Sequence, residues 1–266
     1  MTSFVVQASD IVRRLAEFDR MFVAFGASKH KYTFRNRVTL SRIESFESKY
    51  SLSLPIDYRS YLTELGNGGS GPYYGIEPLD FDNEELHSDF IYTDKVDAEH
   101  EWSDEEYDDA LSGAIHLSVY GCGTEVYLIT KGKSHGEVWY DGRYEFGLVP
   151  AEKDDGSRHT FASWWLEDMK KKLSLFEQVK ALMDDSVDHD LIHKQLNDKF
   201  SQFHIDEAML SIMGRSTNGT PTHVSDKAWG VQWGLVEDHY ENWLKGSDIE
   251  LDSVPRLWSR VKSWFL

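Results

Sequence analysis

The 266-residue chain has a single cysteine, Cys122, so no disulfide can form within it. It has no apolar run long enough to cross a membrane as a helix. Its first residues offer only Phe4-Val5-Val6 before Gln7-Ala8-Ser9-Asp10, too little for the apolar stretch of a secretory signal. From these absences we expect a protein of the reducing cytoplasm. No internal repeat or low-complexity tract occurs. Basic residues are scarce relative to acidic ones: 28 Lys and Arg stand against 46 Asp and Glu, for a net charge of −18. What is abundant is core material. Apolar residues make up 40% and aromatic residues 14%, with nine Trp, which suits a globular protein and argues against disorder. The length allows one large domain or a domain plus a smaller one.

The charge is unevenly placed. Residues 1–50 carry nine Lys/Arg against five Asp/Glu, residues 51–150 carry five against 21, and residues 151–266 carry 14 against 20. Asp80 to Asp109 alone holds 14 carboxylates and one cation, Lys95. Such a field repels nucleic acid and anionic membrane and attracts a basic partner. The plain alternative is a solvated acidic loop that only aids solubility.

Hydrophobic spacing gives the elements. Ser9 or Asp10 is placed to cap a helix with Ile11, Leu15, Phe18, Phe22 and Phe25 on one face, stopped by Gly26. Thr39 caps a second helix carrying Ile43, Phe46 and Tyr50. Pro55 starts a third, with Tyr58, Leu62 and Leu65, ended by Gly66. After the Gly66–Pro72 loop, Tyr73–Leu79 reads as a strand and Asn83–Phe90 as a short helix. Ile115–Tyr120, Glu125–Thr130 and Glu137–Tyr140 read as strands. Asp141-Gly142 signals a tight type I′ hairpin with Arg143–Val149 returning. A long helix from Thr160 carries Phe161, Trp164, Trp165 and Met169 and extends through Leu173, Phe176, Val179 and Met183. Helices are expected over 190–200, 206–213, 226–244 and 254–265, with a turn-rich break at 215–221.

Several motifs fail on context. Gly66-x-Gly68-x-x-Gly71 has the letters of a dinucleotide fingerprint, but a helix precedes it and Pro72-Tyr73-Tyr74 follows, where strand and helix are required. Ser70 lacks the glycine of a nucleophile elbow, because Pro72 stands there. Cys122, between two glycines, is a thiol with no base placed beside it by sequence. His189 and His193 lie four apart without a third metal ligand at a defined offset, so a polar helix surface is the expectation. The acidic run lacks the spacing of a calcium loop. No catalytic residue, metal or cofactor is assigned.

A further set of residues occurs in a telling order. Ile43-Glu44-Ser45-Phe46-Glu47 through Tyr50 leads to Leu54-Pro55-Ile56-Asp57-Tyr58, Leu62 and Asn67-Gly68-Gly69. Gly71-Pro72-Tyr73-Tyr74-Gly75-Ile76 comes next, then Ile115-His116-Leu117-Ser118 and Gly121-Cys122-Gly123. Gly132 through Gly136-Glu137-Val138-Trp139 and Phe161-Ala162-Ser163-Trp164-Trp165-Leu166 close the set. Over about residues 39–172 this order resembles the SUKH superfamily of Smi/Knr-type proteins. The resemblance implies an α+β domain, a central mainly antiparallel sheet flanked by helices, and a non-enzymatic role. Bacterial members of that family are typically immunity proteins that neutralise polymorphic toxins, often nucleases; fungal relatives are regulators. We therefore expect three parts: an N-terminal helix and connection (1–38), a SUKH-like domain (39–172) and a mostly helical C-terminal extension (173–266). The expected partner is a basic protein, a toxin domain, and neither nucleic acid nor membrane. Glu101, Asp104, Glu105, Glu106, Asp108 and Asp109 are the expected contacts, with Trp102 and Tyr107 as aromatic anchors. The alternatives are a regulatory adaptor of the same fold and a hydrolase using carboxylates or Cys122, which a pocket joining Cys122, His116 and a carboxylate would favour.

Overall fold

Ser3 opens the first helix, α1 (Phe4–Phe18), by accepting the Val6 N–H. The helix begins and ends earlier than the apolar spacing predicts. Asp19 explains the stop: its carboxylate accepts the backbone N–H groups of Val23 and Ala24 at 2.8 and 3.0 Å and the Tyr32 hydroxyl at 2.8 Å. A buried side chain thus supplies acceptors that the next helical turn would have supplied, and the chain bends away. Phe22, expected on the helix face, sits instead at φ 57°. A short helix, α2 (Ala27–His30), follows Gly26.

This computed structural model describes residues 3–215, excepting positions 122 and 186, and gives the backbone alone at 189 and 213–215. The expected helices at 226–244 and 254–265 and most of the 215–221 break lie outside the described residues. Helix α3 (Leu40–Tyr50) is capped by Thr39 as expected and buries Ile43, Phe46 and Tyr50. Helix α4 (Ile56–Ser60) runs into a single π turn, Tyr61–Leu65, closed by the Gly66 N–H donating to Tyr61 O at 3.0 Å. The expected strand at 73–79 does not form. Gly69 and Ile76 exchange two backbone hydrogen bonds of 2.8 and 2.7 Å, so the ladder is one bridge long and belongs to a tight loop. Gly69, at φ 111°, also approaches Thr33 O so closely that a Cβ would lie 2.3 Å from it. The glycines of the rejected fingerprint therefore serve backbone packing.

The sheet is antiparallel in the order β1 (Ala114–Gly121), β2 (Thr124–Ile129), β3 (Val138–Gly142), β4 (Gly147–Pro150). Its third turn departs from the tight hairpin expected at Asp141-Gly142. Both residues stay in β3, paired with Leu148 and Gly147, and the connection is Arg143–Phe146. The Phe146 ring folds over Gly142, where a Cβ would meet it at 2.4 Å. Period-2 alternation divides the sheet into two buried faces. Ile115, Leu117, Val126, Leu128 and Val138 join the main core; Ala114, Tyr127, Ile129, Trp139 and Leu148 form a second cluster.

Against the first face lies α6 (Phe161–Asp184), begun by a reciprocal cap between Thr160 and Ser163. Phe161, Trp164, Trp165 and Met169 are buried, and the helix runs unbroken through Leu173, Phe176 and Val179. Phe4 of α1 meets the rings of Phe161 and Trp165 edge-on, each at 5.8 Å. Helices α7 (His189–Leu196) and α8 (Gln202–Arg215) follow, and Ile205, Ala208, Met209 and Ile212 join the same core. Residues Met1–Ile212 form one compact unit. No helix among the described residues is long and apolar enough to cross a membrane.

Candidate binding surface

The second face of the sheet would be left to water without the acidic segment. Phe90, Tyr92, Val96, Trp102 and Leu111, interspersed among its carboxylates, turn inward onto Tyr127, Ile129, Trp139 and Leu148. Phe90 packs edge-on against Trp139 at 5.0 Å, and Tyr92 against Trp102 at 6.0 Å. Burial of this aromatic set fixes the segment as a cover over the sheet.

Polar contacts pin the cover as well. Val96 and Leu148 exchange backbone hydrogen bonds of 2.8 and 2.9 Å, so the cover also pairs with the edge strand β4. Thr130 and Lys131 both donate backbone N–H to Gly113 O, at 2.8 and 3.1 Å. Lys131 Nζ donates to His87 O at 2.9 Å.

A short helix, α5 (Asp104–Asp109), lies within the cover and was missed by the sequence reading. The signal was there: Ser103 accepts the Glu106 N–H at 3.2 Å, and Asp104, Glu105 and Glu106 fill the first turn. A capping hydroxyl and first-turn acids both favour a helix start. Arg143, from the β3–β4 turn, holds α5 in place. Its guanidinium is bound to Asp141 through Nε and Nη2, each at 2.9 Å, and Nη1 donates to Tyr107 O at 2.6 Å. The same group lies 3.8 Å from the Tyr107 ring centre and 5.2 Å from that of Trp102. Burial opposes the Arg143 charge, and the Asp141 contact outweighs it, so the pKa is raised. Burial and the 2.7 Å hydrogen bond to Tyr144 push the Tyr107 hydroxyl up to about 12.

Of the 14 carboxylates from Asp80 to Asp109, 13 are exposed and Glu106 is half-buried. Apart from the exposed Ile91, the large apolar side chains thus point in and the acids point out along one stretch. Among the described residues, Glu101, Asp104, Glu105, Asp108 and Asp109 have no ion-pair partner, while Glu106 meets His100 at 2.9 Å. Trp102 and Tyr107 are both half-buried, so each anchors the cover and presents an outer edge beside these acids.

Ser70 is fully buried. Cys122 lies outside the described residues; His116 packs against Tyr127 with the rings tilted, 5.3 Å between centres, and lies 3.8 Å from Glu125. His193 is not on a polar surface as expected: it is buried and its Nε2 is 2.7 Å from Asp206 of α8. That carboxylate compensates the burial of a polar ring, which the sequence spacing does not reveal. No cluster of three metal-ligating side chains occurs among the described residues.

Residues 37–165 match the SMI1 / KNR4 family (SUKH-1). The match takes in α3, the Gly-rich loop, the acidic cover, all four strands and the first turn of α6. This segment is a SUKH-family domain. The α+β architecture, with an antiparallel four-stranded sheet and flanking helices, agrees with that membership. No curated protein matched the chain, and no solved structure did. Helices α7 and α8 and all of α1 lie outside the SUKH segment.

Proposed function

We propose that this SUKH-domain protein is an immunity protein of the cytoplasm, which neutralises a toxin domain by occupying it and performs no chemistry itself. The observation that carries the reading is the acidic cover: a packed, pinned layer whose outer side exposes 13 carboxylates and, of Lys and Arg, Lys95 alone. A nuclease holds phosphates with cations, so a basic nuclease is the partner this surface fits best. A pinned surface loses little freedom on binding, which favours affinity. Glu101, Asp104, Glu105, Glu106, Asp108 and Asp109 are the contacts we assign, with Trp102 and Tyr107 between them as anchors. Exposed carboxylates at the rim raise the association rate, and any that become buried against Arg or Lys hold the complex.

The test begins with capture from native cells on the immobilised wild-type chain and identification by mass spectrometry. The captured toxin domain is then assayed for nuclease activity. Equimolar wild-type protein abolishes that activity on this reading, and so does Cys122→Ala. Activity that persists with the complex formed would sink the immunity reading. Loss of inhibition in Cys122→Ala, with binding intact, would instead indicate thiol chemistry.

A further inference from the structure

A second feature lies away from the acidic cover. A cleft of about 660 Å³ opens between the middle of α6, the start of α8 and the loops around Phe25, Tyr74 and Gly121. This is the size of a small-molecule site. Its α6 and α8 walls, from Asp168 onward, fall outside the SUKH segment.

The walls are aromatic. Phe25 and Tyr74 pack at 4.6 Å, and Tyr73 and Tyr120 edge-on at 4.4 Å. Tyr73 holds a left-handed backbone, φ 54°, unusual for a bulky residue. Its hydroxyl is 3.0 Å from that of Tyr140, which also accepts from Trp164 Nε1 at 3.1 Å. The wall is therefore pre-set by partly buried hydrogen bonds. Tyr120 and Phe203 remain 46% and 40% exposed, open to a guest.

The charges in the cleft are Lys171, Lys172 and Lys199 against Asp168 and Glu207. Burial raises both acids, Glu207 to about 8, so at neutral pH the lysines prevail. Lys172 is the foremost charge acting on Asp168, Glu207 and His204, and burial with Lys172 and Lys171 lowers His204. Among the described residues, Lys171 and Lys199 have no ion-pair partner within 4.0 Å and both are exposed. In a chain of net charge −18 this is a local positive basin with aromatic sides.

We propose that this cleft binds a small organic anion with a flat ring, the ring against Tyr74 and Tyr120 and a carboxylate or phosphate at Lys171 and Lys199. A cationic guest would suit the aromatic faces but meets three lysines. The site is independent of the toxin-binding reading.

Titration of the full chain with three probes tests it. Indole-3-propionate supplies a ring with a carboxylate, adenosine monophosphate a ring with a phosphate, and tryptamine a ring with a cation. We expect saturable one-site binding of one of the two anions, at least about tenfold tighter than tryptamine. Lys171→Glu/Lys199→Glu should weaken it about tenfold or more, with an unchanged circular-dichroism spectrum, since both side chains are exposed. Tyr120→Ala should weaken it too. Saturable binding of neither anion, tryptamine bound as tightly, or an unaltered affinity in the folded lysine variant would each overturn the proposal.

Discussion

Arg143 is the residue through which the sheet grips its cover. It neutralises Asp141, stacks on Tyr107 and bonds that residue's backbone, while its own side chain is only 6% exposed. Removing one partner of a buried pair leaves the other uncompensated. Arg143→Met should therefore cost about 3–5 kcal/mol in urea unfolding, and Arg143→Lys should recover part of it, because an ammonium lacks the fork that engages both Asp141 oxygens. Glu207 behaves in the opposite sense. Its folded pKa is raised to about 8 by burial, so the folded state keeps a proton that the unfolded chain gives up in the ordinary carboxyl range. This group therefore costs nothing in acid, and its penalty grows as the pH climbs from about 4.5 to about 8. Glu207→Gln should raise the melting temperature at pH 8.5 and leave it nearly unchanged at pH 4; an equal effect at both would contradict the burial argument.

At the scale of elements, the acidic cover is held by a few apolar anchors and one short helix. Phe90 is buried against Trp139, and Phe→Ala in a core costs about 3–5 kcal/mol. Phe90→Ala should thus destabilise the fold by that order and speed hydrogen exchange at Val96 and Leu148, which bridge cover and edge strand. Ser103→Ala removes the cap of α5 and should cost about 1 kcal/mol. Much of this architecture was legible. Thr39 and Thr160 announced their helices, and the apolar faces of α3 and α6 had the right period. Three strands were plain from β-branched alternation. The misses share a cause: a particular polar, ring or backbone contact, which apolar spacing does not encode, decided the local path of the chain. Asp19 ended α1 by bonding Val23, Ala24 and Tyr32. Phe146 closed over Gly142 and shifted the hairpin. The backbone at Thr33 and Phe34 took up Gly69 and prevented a strand at 73–79. The acidic surface was visible in composition, but its role as a sheet cover depended on where Phe90, Trp102 and Leu111 pointed. The aromatic cleft joins residues from both ends of the described chain, so no local pattern announced it.

For the molecule as a whole, charge separates its two faces of interest. The cover concentrates carboxylates over one side of the sheet, and the cleft gathers lysines beside α6 and α8. Long-range attraction from the cover should act before contact and be screened by salt over a Debye length of about 8 Å at physiological ionic strength. The most direct test of the central claim is the association rate of the captured basic toxin domain with the wild-type chain and with Glu101→Lys/Asp104→Lys/Glu105→Lys/Asp108→Lys, at low and high salt. The account predicts a fast wild-type rate that falls steeply as salt rises, and a variant rate at least about tenfold slower at low salt with a flattened dependence. Equal rates and equal salt slopes for the two proteins would contradict it, and would reduce the acidic cover to a solvated face.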